Sequence, residues 1–363
     1  MPQIAGFRGV VAGGERDPGR AVYRYHQVFA GPGGRQLVRK MLVCAVRLTP
    51  WQDGEVRPHE TVVAAARDAE LARIRELRGH AEPVLAGFRD PPGETDRLFR
   101  KAESAAATVE KATPDGTVHR LWRVQDAELL GKLRHLFAPK PVHVLDGHAR
   151  YEAMLAYTNE LAAAKPLALY SSAAYGLGCL VEVTDPALVV AARHRVLRGT
   201  SAKSAAVMAA ASEHFLVEKL AGAAGDVARQ LGALAELHAH QPAFVAVFAG
   251  EPDAWKLTLK PEVSPIAAGV NVDRAVQKCE PVVVDQLFVA RHLPGAQVAT
   301  ETDATSALAA KGDVTLLLRP VAIDELLRLS EGGQQLPAGS TAFHPALAPG
   351  LIAMPIDPDE DLV

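Results

Sequence analysis

The chain has 363 residues, of which 48% are hydrophobic and 22% charged, with a formal net charge of -3. That length supports a sizeable core and about two domains, and the composition is that of an ordinary globular protein. The near-neutral balance and scattered basic residues supply no field for nucleic acid or an anionic membrane, so neither is an expected partner, and nothing in them fixes an oligomeric state.

In chain order, Tyr23 to Phe29, the turn "GPGG" at 31–34 and the run "MLVCAVRL" at 41–48 read as paired strands. "ETVVAAARDAELARIRELRG" at 60–79 has helical spacing, with acid in its first turn. A Pro-Asp-Gly turn at 114–116 leads into the strand "VHRLWRV" at 118–124, followed by a helix over 126–137 and the strand "PVHVLDG" at 141–147. "GCLVEVTDPALVVAARHRVL" at 178–197 reads as two strands around an Asp-Pro turn, and a helix follows over 201–213. Strands at 243–250 and 255–260, a helix near 281–292, a strand at 314–319 and a helix at 322–330 complete the pattern, with no repeat of fixed period. Hairpins mixed with crossovers predict an α+β fold, a mixed sheet with flanking helices. The Pro- and Gly-rich stretch at 250–270 is the expected boundary, separating an α+β domain over 1–250 from a C-terminal α/β portion over 251–363 that packs back on it.

Cys44, Cys179 and Cys279 are far apart and lack C-x-x-C spacing, which fits a reducing cytoplasm. The N-terminal "MPQIAGFRGVVAGG" has no secretory pattern, and no apolar run approaches the roughly 20 residues of a membrane span. A cytoplasmic protein is expected.

The stretch with the most chemistry is "VHVLDGHARYEAML" at 142–155, a strand that becomes a helix close to Gly147. Free backbone N–H groups and the helix dipole at such a corner favour an anion. Gly147 lets a ligand approach the backbone, His148 and Arg150 could hydrogen-bond phosphate oxygens, and Asp146 could hold a metal ion or a sugar hydroxyl. The same residues also read as a cap, a turn and two side chains facing water. In "VRPHETV" at 56–62, His59 and Glu60 sit at the mouth of a helix, where Glu60 is either a general base or an acid favoured by the dipole, with His59 in solvent. "HRVLRG" at 194–199 offers a basic pair for an anion or simply a charged strand edge. The histidines of "LHAHQP" at 237–242 are two apart and share no helix face, and "GLGCL" at 176–180 lacks the third glycine of a dinucleotide loop. No Gly-x-Ser-x-Gly elbow or His-Glu-x-x-His helix is present.

"PHET" at 58–61, "LDGHARYE" at 145–152, "ARHRVL" at 192–197 and "LPAGSTAFHPALAPGLI" at 336–352 resemble, in that order, the motifs of the bacterial family catalogued as domain of unknown function 1015. A Pro-His-Glu segment followed by an Asp-Gly-His corner is also similar to the ParB/sulfiredoxin-type free-serine kinases. That resemblance implies a ParB/sulfiredoxin-like nucleotide-binding portion that takes ATP or ADP with Mg2+ and is kinase-like. By it, Glu60, Asp146 and His148 would be catalytic, with Glu60 the base. Gly147, Arg150, His59, Arg195, Ser340 and Thr341 would bind the cofactor.

The chain departs from the family pattern at three places: Ala149 replaces the second histidine of the corner, and Gly339 and Ala346 replace two lysines of the closing stretch. Two readings follow. One is a small-molecule kinase acting on the hydroxyl of a metabolite such as free serine. The other is a catalytically degenerate ligand-binding or regulatory protein on the same scaffold, because phosphoryl transfer relies on charge neutralisation.

Overall fold

The computed structural model describes residues 4–90, 92–238 and 241–363. They form two compact units, one running to Val189 and resuming over Phe343–Val363, the other spanning Val190–Ala342.

The first unit is built on a mixed sheet whose main path runs Val56–Arg57, Val142–Asp146, Val84–Phe88, Tyr175–Glu182, Gln36–Arg47, Val22–Ala30, Val118–Val124 and Val109–Ala112. Val142–Asp146 is parallel to Val56–Arg57 but antiparallel to Val84–Phe88, which is itself parallel to Tyr175–Glu182. From there to Val109–Ala112 every neighbour is antiparallel, as the hairpin turns at 31–35 and 113–117 require. The expected α+β class with a mixed sheet is what forms.

Local chemistry explains several elements. The helix Ala127–Phe137 starts where the Asp126 side chain accepts the N–H groups of Glu128 and Leu129, satisfying two donors that the first turn cannot pair. The helix His148–Ala164 buries His148, Tyr151, Ala153 and Met154. It lies close to the sheet because Gly176 leaves room: a β-carbon there would stand 2.8 Å from Met154 Sδ, while one on Gly178 would stand 2.5 Å from Val46 Cγ2 of the neighbouring strand. The "GLGCL" glycines are thus a packing device within a strand. The Tyr151 hydroxyl accepts the Thr49 N–H at 3.0 Å and donates to the Thr49 carbonyl at 2.9 Å, which anchors the helix start.

The closing segment returns to the first unit. Buried Arg39 donates to the His344 carbonyl at 3.3 Å and to the Pro345 carbonyl, while Gln27 Nε2 donates to the Ala346 carbonyl at 2.8 Å. Ala346 itself is exposed.

The second unit has a six-stranded sheet in the order Phe215–Leu220, Ala254–Leu259, Ala243–Phe248, Val314–Leu317, His194–Arg198 and Gln297–Glu301, antiparallel throughout. Its helices include Ser204–Ala211, Val227–Ala235 and Ile323–Glu331, with a helical run over 280–292 that widens to π hydrogen bonding at Val283–Val289. The position taken as a boundary, 250/251, falls in the turn of the hairpin between Ala243–Phe248 and Ala254–Leu259. The two strands expected around the Asp-Pro turn at 185–186 belong to different sheets. Tyr175–Glu182 is already paired on both edges, by Val84–Phe88 and Gln36–Arg47.

Among the described residues, no helix is long and apolar enough to cross a membrane, and the three cysteines are free and buried.

Candidate functional site

The corner forms where Val142–Asp146 hands over to the helix beginning at His148. Register with Val84–Phe88 shifts between Val144 and Asp146, and Asp146 is exposed at the strand end. Gly147 makes the turn with φ +92° and ψ +31°, a left-handed conformation costly to any residue with a β-carbon. Such a carbon would also stand 3.2 Å from Arg150 Nη1. No side chain caps this helix, and its first helical bond runs from the Tyr151 N–H to the Gly147 carbonyl at 2.9 Å. Gly147 at the N-cap has no side chain to place on the first-turn donors of this 17-residue helix, and the start of a helix favours an anion.

Pairing of Val142–His143 with Val56–Arg57 carries the next residues, His59 and Glu60, to the same corner. His59 is buried, with Nδ1 bonded to the Val144 carbonyl at 2.8 Å, while its backbone N–H donates to His148 Nε2 at 3.3 Å. The two rings meet edge to face, with centroids 4.6 Å apart and planes at 83°. Burial disfavours charge on both imidazoles. It holds His59 down at about 4, and it holds His148 well below the ordinary histidine range, with the neighbouring His59 adding to the effect.

The bonds also set the tautomers. His148 Nε2 accepts, so its proton sits on Nδ1; His59 Nδ1 donates, so its Nε2 is the unprotonated nitrogen. That nitrogen lies 3.9 Å from Glu60 Oε1. Glu60 is buried, and it precedes the helix rather than starting it: the helix runs Ala64–Leu77 with no acid in its first turn. The dipole reading of Glu60 and the solvent reading of His59 and His148 are therefore corrected. The three side chains form a buried polar cluster beside the helix start, where a carboxylate can take a proton from a ligand hydroxyl.

Arg150 is held otherwise than its place in the motif suggests. Nη2 pairs with Glu82 at 2.8 Å and Glu70 at 3.4 Å, and Nη1 donates to the Pro83 carbonyl at 2.9 Å. To grip a phosphate with its fork it must leave these partners.

Arg195, Ser340 and Thr341 belong to the second unit. The Arg195 guanidinium is buried and bidentate on Asp285, with both contacts at 2.9 Å, and also donates to the Arg193 carbonyl at 2.7 Å. Ser340 Oγ donates to the Pro337 carbonyl at 2.6 Å, and Thr341 is partly buried. Gly339 has φ +75°, and its carbonyl accepts from Arg193 Nε at 3.4 Å. His240, half of the pair in "LHAHQP", lies outside the described residues. Among the described residues, no group of three or more His, Cys, Asp or Glu side chains is gathered to hold a metal. The partners that spacing did not reveal are the Val144 carbonyl, Glu70 and Glu82, none of which stands in a motif.

No curated protein matches the chain. Among solved structures, it is similar to a variant free serine kinase in complex with ADP, at 12% identity and a TM-score of 0.43, covering 85% of this chain and 91% of that one. It is also similar to a conserved hypothetical protein from Pyrococcus furiosus (11% identity, TM-score 0.43, 84% and 93% covered). A third is SbnI with C-terminal truncation from Staphylococcus aureus (13% identity, TM-score 0.39, 82% of each covered). A family model matches residues 15–287, well over half of the sequence, and by that match the chain belongs to the protein family of unknown function DUF1015.

Proposed function

We propose that this is a kinase-like nucleotide-binding protein that seats the phosphates of ATP or ADP at the corner of residues 146–150. The observation that carries the reading is the start of the helix His148–Ala164 at a positive-φ N-cap glycine, flanked by exposed Asp146 and buried Glu60. The backbone N–H groups of the first turn would bind phosphate oxygens. Mg2+ fits the residues present, because it keeps most of its waters and needs only one or two carboxylates beside nucleotide phosphates, and Asp146 is the exposed carboxylate there. Its contribution would be to neutralise phosphate charge. Glu60 would accept the proton of an acceptor hydroxyl, such as that of free serine, as the hydroxyl oxygen attacks phosphorus and the nucleotide departs.

Thermal unfolding with ATP, ADP or CTP, with and without Mg2+, tests this. A nucleotide at 100 times its Kd stabilises by about 2.7 kcal/mol. The expected result is a nucleotide-dependent rise in Tm that Asp146→Ala reduces and Glu60→Gln retains, with turnover of a hydroxylated acceptor lost in Glu60→Gln. No rise with any nucleotide refutes the site, and wild-type turnover in Glu60→Gln refutes the base.

One observation favours a second reading, a ligand-binding or regulatory protein without turnover. The Arg150 fork is spent on Glu82, Glu70 and the Pro83 carbonyl, and Gly339 and Ala346 carry no charge where the family pattern has lysines. Nucleotide binding without product from any hydroxylated acceptor supports it. A phosphorylated product that disappears in Asp146→Ala excludes it.

A further inference from the structure

We infer that the second unit holds a small-molecule site of its own, a cavity at one end of its six-stranded sheet that takes a small organic ammonium compound with an apolar body. The cavity has a volume of about 930 Å³, toward the upper end of the range typical of ligand pockets, about 300–1,000 Å³. It opens where Val314–Leu317 and Gln297–Glu301 end and His194–Arg198 begins. One wall is apolar, formed by Val227, Leu231 and Leu234 of the helix Val227–Ala235.

The polar side of the cavity is built around His194, which is only 2% exposed. Its Nδ1 accepts the Leu318 N–H at 3.1 Å, so the ring proton is on Nε2. Among the described residues, Nε2 has no hydrogen-bond partner, and the ring lines the cavity. Nε2 is not sealed from solvent, so it can donate within the cavity to an acceptor on a ligand.

Charge then selects the ligand. Asp303 lines the same cavity and has no ion-pair partner among the described residues. The Ser306 N–H, donated to it at 2.7 Å, holds its carboxyl below the usual carboxylate range. Of the two cations on the lining, one is neutralised by a carboxylate and the other is exposed to solvent. Arg319 is spent on Glu280 at 2.8 Å and on the carbonyls of His238 and Gln241, and exposed Lys278 donates to the Pro261 carbonyl at 3.2 Å. The cavity therefore offers a carboxylate for an ammonium, an N–H for a carbonyl oxygen and an apolar wall for the rest. An amino amide with a branched aliphatic side chain carries these three features in their smallest form.

The test is calorimetric titration of the full chain with leucinamide, 4-methylpentanamide and 4-methylpentanoate. Saturable binding of leucinamide is expected, at least tenfold weaker for the uncharged amide and absent for the carboxylate. Asp303→Asn should weaken leucinamide about tenfold, the usual size of a lost hydrogen bond to a charged group. Leu231→Lys, at a wall position 37% exposed, tolerates substitution and should abolish binding by placing a cation in the mouth. No binding of leucinamide, equal binding of the carboxylate, or unchanged binding in Leu231→Lys would each overturn the inference. Only residues of the second unit are involved, so the result is independent of nucleotide binding at the corner.

Discussion

At the corner of the first unit, polar side chains are matched to partners: His148 accepts from the His59 backbone N–H, and Arg150 spans Glu82, Glu70 and the Pro83 carbonyl. In the cavity of the second unit, Glu280 and Arg319 are matched as tightly, but among the described residues His194 keeps a donor unpaired and Asp303 has no ion-pair partner. The corner is dense in motif residues and offers its ligand mainly backbone N–H groups, whereas the cavity has little motif and offers side chains around a large volume. The two regions thus use different physics, helix-terminus electrostatics in one and side-chain complementarity around a cavity in the other.

The largest effect expected from breaking this comparison concerns the two arginines. Arg319→Met strands Glu280, whose carboxyl burial already pushes up, and should cost about 3–5 kcal/mol in urea unfolding. Arg150→Met should cost no more than about 1 kcal/mol, because Glu70 and Glu82 still reach water. Equal costs would mean that the corner pair is as desolvated as the cavity pair.

Next come the histidines. His59 and His194 are both held down at about 4 by burial, so the unfolded chain binds their protons first as pH falls from about 6.5. Their contribution is complete above that window and is lost as pH drops through it, by up to about 3 kcal/mol each. Urea unfolding at pH 7 and pH 4.5 should show a smaller loss in His59→Gln and in His194→Gln than in the wild type. A full pH slope in either variant would show that its imidazole does not titrate late.

Gly147→Ala is expected to cost about 1–2 kcal/mol for a β-carbon in the left-handed region. Thermal unfolding measures it. No loss would mean that the turn relaxes and that the glycine is not needed for the corner.

Much of the fold was legible where a short stretch carries its own reason. The Pro-Asp-Gly turn and the alternation after it place the strand Val118–Val124 at the expected residues, and Asp126 marks the helix that follows. The strand Val84–Phe88, which borders the corner, was not legible. It has five residues, all buried, without alternation, and contains Gly87, whose missing β-carbon would stand 2.5 Å from Val183 Cγ1. The helix Glu94–Glu103 escaped because it buries only Thr95 and Phe99. At the site, Gly147 and its helix start could be read from the chain. The burial of His148 and the engagement of Arg150 could not, because nothing beside either residue announces its partner.

The sequence by itself determined what depends on a few neighbouring residues: the turns, the Asp126 cap, the strand-to-helix corner and the left-handed glycine at its apex. Tertiary structure alone decided the rest. His148 meets a backbone N–H 89 positions away, and Arg150 finds its carboxylates 68 and 80 positions away. The order in which strands join a mixed sheet sets those meetings, and periodicity and spacing carry no record of that order.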